Sequence, residues 1–573
     1  MIKGTGVSKG IALAKQYLID SAPSVRRETV TEHTKELEAL RASRALAVEQ
    51  LTDTGKDAAT HFGAAEQEVF EAQLLLLDSD DLWNCAERGV LEKNQCAEWA
   101  FDEVIEERIT MFSQLESAYL QERVLDLKDI RQRVLRCLSQ KPGGGSSTES
   151  SVILIGSEVM PSQLMDHRYG PIRGIAMEAG GITSHTVLLA NMMGIPCVVG
   201  ACGLLAQAVS GDEMILNGST GEIFPHPGAA EKAAYEESRS RLAQETELDR
   251  AYIGRPDRAK DGTEVLLWCN IASVQDTKQV RLNDSSGVGL MRSEFLFLGR
   301  QGAPDEAEQY AAYRQMARDL VGKPLVIRTL DIGADKQVSY LDLGEEDNPA
   351  LGFRAIRYCL KHEEIFLPQV RAILRAGTEG DVRMMFPMIA SLSELRMAKT
   401  IVARAKEELR AEGLPFRDDM PVGVMIEVPS AALMAEDFAA EADFFSVGTN
   451  DLTQYVLSAD RTNANVSQLN QPYAPALLRL MGYVAQKACS AGTPIAICGH
   501  AGQDPLLLPV WLAMGISELS VSPTSVLELR RTLSGLTRAD CTPLLERVLQ
   551  MQTTEEVLAC LREFHSDRFA GKG

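Results

Sequence analysis

The segment Asp443-Phe444-Phe445-Ser446-Val447-Gly448-Thr449-Asn450-Asp451 passes from an apolar run into two polar residues. The apolar part, 443–447, has the length and composition of a buried β-strand. Asn450 and Asp451 would then lie just beyond the carboxyl end of that strand. In α/β proteins with parallel sheets, this end of the strand is where ligands bind.

Seven further apolar segments alternate with helical stretches from about residue 262 onward. Together with 443–447 they give the strand count of a (β/α)8 barrel, which is a parallel sheet closed on itself. The predicted fold class is therefore an α/β multidomain protein whose last domain, 256–573, is such a barrel. The other strand candidates are 265–271, 287–291, 324–329, 382–387, 422–427, 494–498 and 518–521.

Polar and reactive residues fall at the ends of several of these strands. Arg292 follows the second candidate, Arg328 follows the apolar residues 325–327 of the third, Glu427 ends the fifth, and Cys498 ends the seventh. Because the carboxyl ends of barrel strands meet at one rim, we expect these side chains to gather there, where barrel active sites lie.

Basic residues are unusually dense near this rim for so acidic a protein. Planar guanidinium groups match phosphate and carboxylate oxygens, so a small ligand carrying both would fit. For any single arginine, a surface salt bridge worth less than about 1 kcal/mol is the competing interpretation. The candidate anion-binding residues are Arg292, Arg328, Lys336, Arg354 and Arg461.

Two carboxylates and a thiol complete the predicted site. Glu427 and Asp451 come from successive strand ends, and with substrate oxygens they would form a Mg²⁺ site that leaves room for water. Cys498 would be placed to donate a proton. A buried, inert cysteine is the commoner role of a cysteine in such an apolar run.

The N-terminal half has a different pattern. Residues 1–20 predict one or two strands, and the Ala-, Leu- and Glu-rich stretch 24–139 predicts several long helices, with breaks near Gly55 and Gly63 and around 78–80. Strand candidates then return at 152–155, 174–177, 195–199 and 213–217. We therefore predict one α/β domain (1–20 and 145–226), an inserted helical bundle (21–144) and a helical linker (227–255).

The turn Gly180-Gly181-Ile182-Thr183-Ser184-His185-Thr186 precedes an apolar, helix-forming run. Thr and Ser are good N-cap residues, so His185 is expected in the first turn of a helix. An anion attached to its imidazole would meet the positive end of the helix dipole. A capped helix with an incidental surface histidine is the competing interpretation.

Charge and cysteine content limit the classes of function. The net charge of −22 argues against nucleic acid as a partner, and it fits either a basic protein partner or solubility alone. Eleven cysteines without a Cys-x-x-Cys pair are typical of a reducing cytosol. No apolar run approaches 18 residues, so we expect a cytoplasmic protein without membrane insertion.

Five motifs resemble the phosphoenolpyruvate-utilising enzymes, and the resemblance extends over essentially the whole chain. The most similar family is enzyme I of the bacterial phosphotransferase system. The dikinases and synthases that share this pattern also need a large ATP-binding domain, for which the chain has no Gly-rich nucleotide loop. The matching segments are 180–186, 443–455, 291–297, 328–336 and 351–357.

The resemblance implies a role for each candidate residue. His185 would take the phosphoryl group from phosphoenolpyruvate and pass it to the carrier protein HPr, which would dock on the bundle. The five basic residues and Asn450 would hold the substrate, Glu427 and Asp451 would bind Mg²⁺, and Cys498 would protonate the enolate to give pyruvate. The family also implies a homodimer formed through the barrel.

Three residues depart from the family pattern. Ile182 stands where a basic or polar residue is common, His500 follows Cys498-Gly499 in place of Glu, and Gln73 replaces a histidine in the docking helix. These departures leave open a specialised or regulatory paralogue that serves a different HPr-like carrier, or one that binds without turnover.

Overall fold

The computed structural model divides into two compact units, Met1–Gln244 and Glu245–Gly573. The residues that it describes are 1–8, 10–19, 25–62, 73–74, 76–113, 118–139, 151–164, 170–179, 185–298, 300, 302–333, 338, 340–341, 343–344, 346–461, 463 and 466–569.

An eight-stranded mixed sheet organises the first unit. Its spatial order is β1-β8-β7-β3-β4-β5-β6-β2, in which β3 to β6 run parallel to one another and the other neighbours are antiparallel. The strands are β1 (Ile2–Lys3), β2 (Thr5–Ser8), β3 (Ile11–Leu18), β4 (Val152–Gly156), β5 (Ile172–Met177), β6 (Cys197–Val199), β7 (Glu213–Asn217) and β8 (Glu222–Phe224).

A helical bundle is inserted between β3 and β4. These two strands are neighbours in the sheet, so the chain leaves the sheet and returns beside the strand that it left. The bundle buries its own apolar core, which includes Leu40, Trp83, Phe101 and Val134. This arrangement confirms the predicted fold class. The bundle helices are His33–Phe62, Asp80–Lys93, Ala97–Ser113 and Ala118–Ser139.

The helix breaks were predicted with mixed success. The break at 78–80 is confirmed, because Ser79 is the extended N-cap of helix Asp80–Lys93. The break at Gly55 is wrong, because helix His33–Phe62 runs through it. One glycine inside a helix costs only about 1 kcal/mol, which a buried neighbour such as Leu51 offsets. Gly63 lies outside the described residues.

Three helices follow the bundle in the first part of the chain. Two are short, Pro161–Leu164 and His185–Met192, and the third is the long polar helix Ala229–Arg250, which lies within the predicted helical linker 227–255. Near its start, Lys232 pairs with Glu213 of the first unit. At its end, Asp249 pairs with Arg531 of the second unit at 2.6 Å. Each end of this helix is therefore fixed to residues of its own unit.

The second unit contains a closed barrel of eight parallel strands. All eight predicted strands are present, and each begins and ends within two residues of its predicted limits. The last strand, β16, pairs with the first, β9, which closes the sheet. The strands are β9 (Leu266–Ile271), β10 (Gly287–Arg292), β11 (Leu325–Arg328), β12 (Val382–Phe386), β13 (Val422–Ile426), β14 (Phe445–Val447), β15 (Ile495–Ile497) and β16 (Glu518–Val521).

Helices surround the barrel, and apolar side chains fill it. The interior cluster includes Trp268, Leu290, Met385, Phe444 and Cys498, all buried. The surrounding α-helices are Thr277–Leu282, Glu306–Asp319, Ile356–Lys361, Glu363–Ala376, Leu392–Ala411, Pro429–Leu433, Ala435–Ala439, Thr449–Leu457, Pro475–Ala491, Leu508–Met514, Val526–Ser534, Arg538–Gln550 and Thr554–Phe569.

Within the described part of the chain, no helix combines the length and the apolar character needed to cross a lipid bilayer. Two long helices, His33–Phe62 of the bundle and Ala229–Arg250 of the linker, carry charged residues along their length.

Candidate active site

Four predicted residues end or directly follow strands of the barrel. Arg292 and Arg328 are the last residues of β10 and β11. Glu427 and Cys498 come immediately after β13 and β15. Because these strands are parallel neighbours in one closed sheet, all four residues lie at the carboxyl rim of the barrel, as predicted.

Asn450 and Asp451 lie at the same rim, in the first turn of helix Thr449–Leu457, which follows β14. The Oδ1 atom of Asn450 accepts a hydrogen bond from the backbone N–H of His500 at 2.9 Å. A backbone N–H only donates, so this contact fixes which side of the Asn450 amide is the oxygen. Its NH₂ group is thereby directed away from His500 and remains a donor for the site.

Arg328 is held by two carboxylates at the end of β11. Its guanidinium lies 2.7 Å from Oε1 of Glu294 and 2.9 Å from Oδ2 of Asp331. Burial acts to lower the pKa of Arg328, but the charges of Glu294 and Asp331 outweigh it and raise the pKa above its ordinary value. Arg328 is therefore a permanently charged and firmly oriented cation at the rim.

Arg354 is oriented by the same aspartate. It donates to both carboxylate oxygens of Asp331 at 2.8 and 2.9 Å, and its Nη1 lies 3.8 Å from Oδ1 of Asp451. Burial acts to lower its pKa, and the charges of Asp331 and Asp451 reverse that effect. The next residue, Ala355, has a φ of +53°, a conformation that L-residues avoid. This backbone strain adjoins the predicted substrate-binding arginine.

Arg292 and Arg461 are less constrained. Arg292 forms no ion pair with any residue that the structure describes, and its pKa is lowered by desolvation and by the nearby charge of Arg328. The guanidinium of Arg461 lies 3.5 Å from Oδ1 of Asp451, and its side chain is 44% exposed. Of the four described candidate arginines, these two can therefore bind an incoming anion without breaking a close ion pair with a carboxylate of the protein.

Glu427 and Asp451 fit a cation-binding role. Oε1 of Glu427 accepts the Met388 N–H at 2.6 Å, whereas its buried Oε2 has no hydrogen-bond partner among the described residues. Oδ1 of Asp451 is buried and likewise lacks a hydrogen bond within the described chain, and its nearest cations are the guanidinium groups of Arg461 at 3.5 Å and Arg354 at 3.8 Å. Such oxygens are costly unless something binds them. Gly448 keeps the space beside Oε2 open, because a Cβ there would lie 2.7 Å from it.

The ionisation of Glu427 supports the same interpretation. Its pKa is raised to about 8, first by burial and then by the negative charges of Asp451 and Asp331. A divalent cation would offset this cost directly. The described residues contain no cluster of three or more His, Cys, Asp or Glu side chains placed to hold a metal. Two carboxylates need no third protein ligand if substrate oxygens and water complete the Mg²⁺ shell.

Cys498 is buried at the top of the barrel interior, with 4% of its surface exposed. Its Sγ lies 3.5 Å from the carbonyl oxygen of Val447. Burial raises the pKa of the thiol to about 11, so it is protonated at neutral pH. At neutral pH the group is therefore a neutral thiol and not a nucleophilic thiolate.

His185 is the first residue of helix His185–Met192, which confirms its predicted place in the first turn. Its side chain and the preceding residues 180–184, including Ile182, lie outside the described residues. Thr186 is buried, and its hydroxyl donates to the carbonyl oxygen of Val159 at 2.6 Å. This bond ties the start of the helix to the segment that follows β4.

Two residues from the sequence analysis remain, the candidate anion-binding residue Lys336 and the departure Gln73. Lys336 lies outside the described residues. Gln73 is described, with 1% of its surface exposed, and its side-chain amide donates to Asp126 at 2.9 Å. Any effect of the Gln73 departure on a docking partner would therefore be indirect.

Sequence reasoning missed the two carboxylates that orient the arginines. Glu294 and Asp331 are both buried and follow Arg292 and Arg328 by two and three residues. The sequence feature that could have indicated them is an acidic residue two or three positions after an arginine at the end of a strand. Both acidic residues lie within the motifs 291–297 and 328–336. An exposed acid at such a position is common, so only the packing shows that these two are buried.

Comparison with known proteins places the whole chain in one group. Family models described as PEP-utilising enzyme match in three parts: the N-terminal domain at 3–123, the mobile domain at 148–221 and the PEP-binding domain at 248–538. Phosphoenolpyruvate-protein phosphotransferases are 39% identical in Geobacillus stearothermophilus (99% of this chain, 98% of the relative) and 38% identical in Bacillus subtilis strain 168 (98% and 99%). An NMR structure of Enzyme I (nEIt) covers 42% of this chain and all of its own, at 27% identity and a TM-score of 0.36.

Proposed function

The chain belongs to the family of phosphoenolpyruvate-protein phosphotransferases, and we propose that it transfers the phosphoryl group of phosphoenolpyruvate to His185 and then to a histidine of the carrier protein HPr, with release of pyruvate. The observation that carries this proposal is the arrangement of charge at the barrel rim. Arg328 and Arg354 share Asp331 there, and Glu427 and Asp451 each have a buried oxygen that accepts no hydrogen bond from the described residues. A doubly anionic substrate and a divalent cation match this distribution of charge.

The basic residues would bind the substrate through its two charged groups. Phosphoryl transfer depends on alignment and charge neutralisation more than on covalent chemistry, and oriented guanidinium groups provide both. Asn450 supports this role, because its NH₂ group is directed away from His500. The full proposed set is Arg292, Arg328, Lys336, Arg354, Asn450, Asp451 and Arg461.

The reaction would balance as follows. An imidazole nitrogen of His185 attacks phosphorus, the bond between phosphorus and the enol oxygen breaks, and the electron pair stays on the enolate of pyruvate. The Cys498 thiol gives its proton to the enolate carbon, and the thiolate recovers a proton from water. A thiol whose pKa is raised to about 11 holds this proton until the enolate forms.

Glu427 and Asp451 would hold Mg²⁺. When bound, the ion would neutralise negative charge on the substrate oxygens. Their buried oxygens, which lack hydrogen bonds within the described chain, support this assignment.

The helical bundle would dock HPr, and the barrel would form a homodimer. His185 belongs to a different unit from the rim and would have to meet the substrate at the rim and then a histidine of HPr at the bundle. We therefore propose that the units move during transfer, with helix Ala229–Arg250 as the connecting element. The ion pair at each end of that helix supports this role. Cross-linking the helix to the barrel should stop turnover and leave phosphoenolpyruvate binding intact. Sedimentation of the full chain tests the dimer.

The phosphotransferase proposal is tested by mixing the chain with phosphoenolpyruvate and Mg²⁺ in the absence of ATP. We expect the amount of pyruvate formed to be proportional to the amount of protein, and we expect further pyruvate formation only when HPr is added. A requirement for ATP would favour a dikinase. Substrate binding without pyruvate would favour the regulatory paralogue.

A further inference from the structure

A polar pair on the first and last barrel strands contacts the backbone of Cys498. Asn270, on β9, donates from Nδ2 to the carbonyl oxygen of Cys498 at 3.2 Å. Its Oδ1 accepts from the hydroxyl of Ser520, on β16, at 2.7 Å. Neither residue belongs to the substrate-binding or metal-binding set proposed above.

Ser520 is itself firmly placed. It is fully buried, and its hydroxyl also lies 3.0 Å from the carbonyl oxygen of Cys269. Gly289, on β10, which pairs with β9, leaves room for Ser520, because a Cβ there would lie 2.7 Å from Ser520 Oγ. The one proton of the Ser520 hydroxyl is shared between two acceptors, whereas the Cys498 carbonyl can only accept, so the Asn270 amide has one orientation, with its nitrogen towards Cys498 and its oxygen towards Ser520.

The segment 498–500 is held from its other side by the strand that precedes Asp451. The Cys498 N–H donates to the Val447 carbonyl at 3.1 Å, and the His500 N–H donates to Asn450. A Cβ on Gly499 would overlap Thr449, so the backbone lies directly against that side chain. Asn270 provides the opposing contact, which fixes the peptide that carries the thiol.

Proton donation depends on this placement. A general acid must lie within hydrogen-bond reach of the atom that it protonates, and a displacement of about 1 Å costs on the order of 100-fold in rate. We propose that Asn270, oriented by Ser520, is a positioning residue that holds the Cys498 thiol in place to protonate the enolate, an inference that rests on the function proposed above. Asn270 acts through the peptide of Cys498 and does not contact the substrate.

The test compares Asn270→Leu and Asn270→Asp with the full-length wild type. Both substitutions remove the donor to the Cys498 carbonyl while keeping similar side-chain volume. We expect kcat for pyruvate formation to fall about tenfold, with KM for phosphoenolpyruvate within about twofold. Ser520→Ala, which removes only the orienting hydroxyl, should give a smaller fall. Asn283→Asp, in a remote turn of the barrel, is the matched control and should leave both constants unchanged.

A double-mutant cycle separates positioning from general structural damage. In the Cys498→Ala background, Asn270→Leu should change kcat by less than twofold, because the thiol that Asn270 would position is no longer present. A further tenfold loss in that background would overturn the inference, as would unchanged kcat in Asn270→Asp and Ser520→Ala. If wild type forms no pyruvate, the proposed function fails; if only the Asn270 variants are unaffected, this inference alone fails.

Discussion

Asp331 accepts hydrogen bonds from the Arg354 guanidinium on both of its carboxylate oxygens, with heavy-atom distances of 2.8 and 2.9 Å. The same carboxylate lies 2.9 Å from Arg328. One buried aspartate therefore orients two arginines, one at the end of β11 and one in the segment that precedes helix Ile356–Lys361. An anionic ligand at this rim would meet cations whose geometry is already set, which reduces the cost of ordering them on binding.

Asp331→Asn should destabilise the ligand-free protein. The substitution keeps the volume but leaves two buried guanidinium groups, 8% and 9% exposed, without their shared counter-charge. We expect the free energy of unfolding of the second unit to fall by about 3–5 kcal/mol, measured by urea denaturation. Phosphoenolpyruvate should recover part of the loss, since its anionic groups would replace the missing charge. Exposed Asp437→Asn is the control, and equal stability of Asp331→Asn and wild type would refute the orienting role.

Glu427→Gln should abolish the response to Mg²⁺. Ligands that bind only the folded state raise its apparent stability, so Mg²⁺ should raise the thermal midpoint of wild type. The variant loses one of the two proposed ligands, so its midpoint should not move, and pyruvate formation should fall at least about 100-fold. Glu555→Gln, on an exposed helix, should respond as wild type does. An equal Mg²⁺ shift in Glu427→Gln would place the cation elsewhere.

Cys498→Ala should slow pyruvate formation about 100-fold and leave KM within about twofold, because general acids typically contribute 10²–10⁴ in rate. Steady-state kinetics at several substrate concentrations separates the two constants. Cys541→Ala, at another buried cysteine on helix Arg538–Gln550, should leave activity unchanged. If Cys498→Ala instead loses substrate binding, the thiol is a packing group.

Glu518 should make stability depend on pH. Burial raises its pKa to about 7 from 4.5, with Arg383 acting in the opposite direction. Because the pKa of Glu518 is higher in the folded state than in the unfolded state, the folded protein binds this proton more tightly. The contribution of Glu518 to the free energy of unfolding is therefore largest below pH 4.5 and is lost as pH rises through 7. Glu518→Gln should therefore be more stable than wild type by about 3 kcal/mol at pH 8 and by little at pH 4. Parallel stability curves between pH 4 and 8 would contradict this.

The barrel was predictable because its signals are local. Each strand lies in a mostly apolar run, and several of these runs are followed by a polar or reactive residue, of which 443–447 followed by Asn450 is the plainest case. The site residues Arg328, Glu427 and Cys498 were found in the same way, by their position at strand ends. The short strand β8 was missed, because its apolar run is only Ile223 and Phe224, between Glu222 and Pro225.

Long-range partners could not be predicted. Nothing in the sequence indicates that Asp331 faces Arg354, because that contact depends on how the segment after β11 folds back. Asn270 reaches Cys498 only when β16 pairs with β9 and closes the sheet. The error at Gly55 has the opposite cause, since a local preference was overridden by packing along helix His33–Phe62.

The central claim is phosphoryl transfer from phosphoenolpyruvate to His185. The most direct measurement incubates wild type and His185→Ala with Mg²⁺ and ³²P-labelled phosphoenolpyruvate, followed by acid and base treatment of the labelled protein. We predict acid-labile, base-stable label on wild type, no label on His185→Ala, and loss of the label to added HPr. Label that persists on His185→Ala would contradict the account.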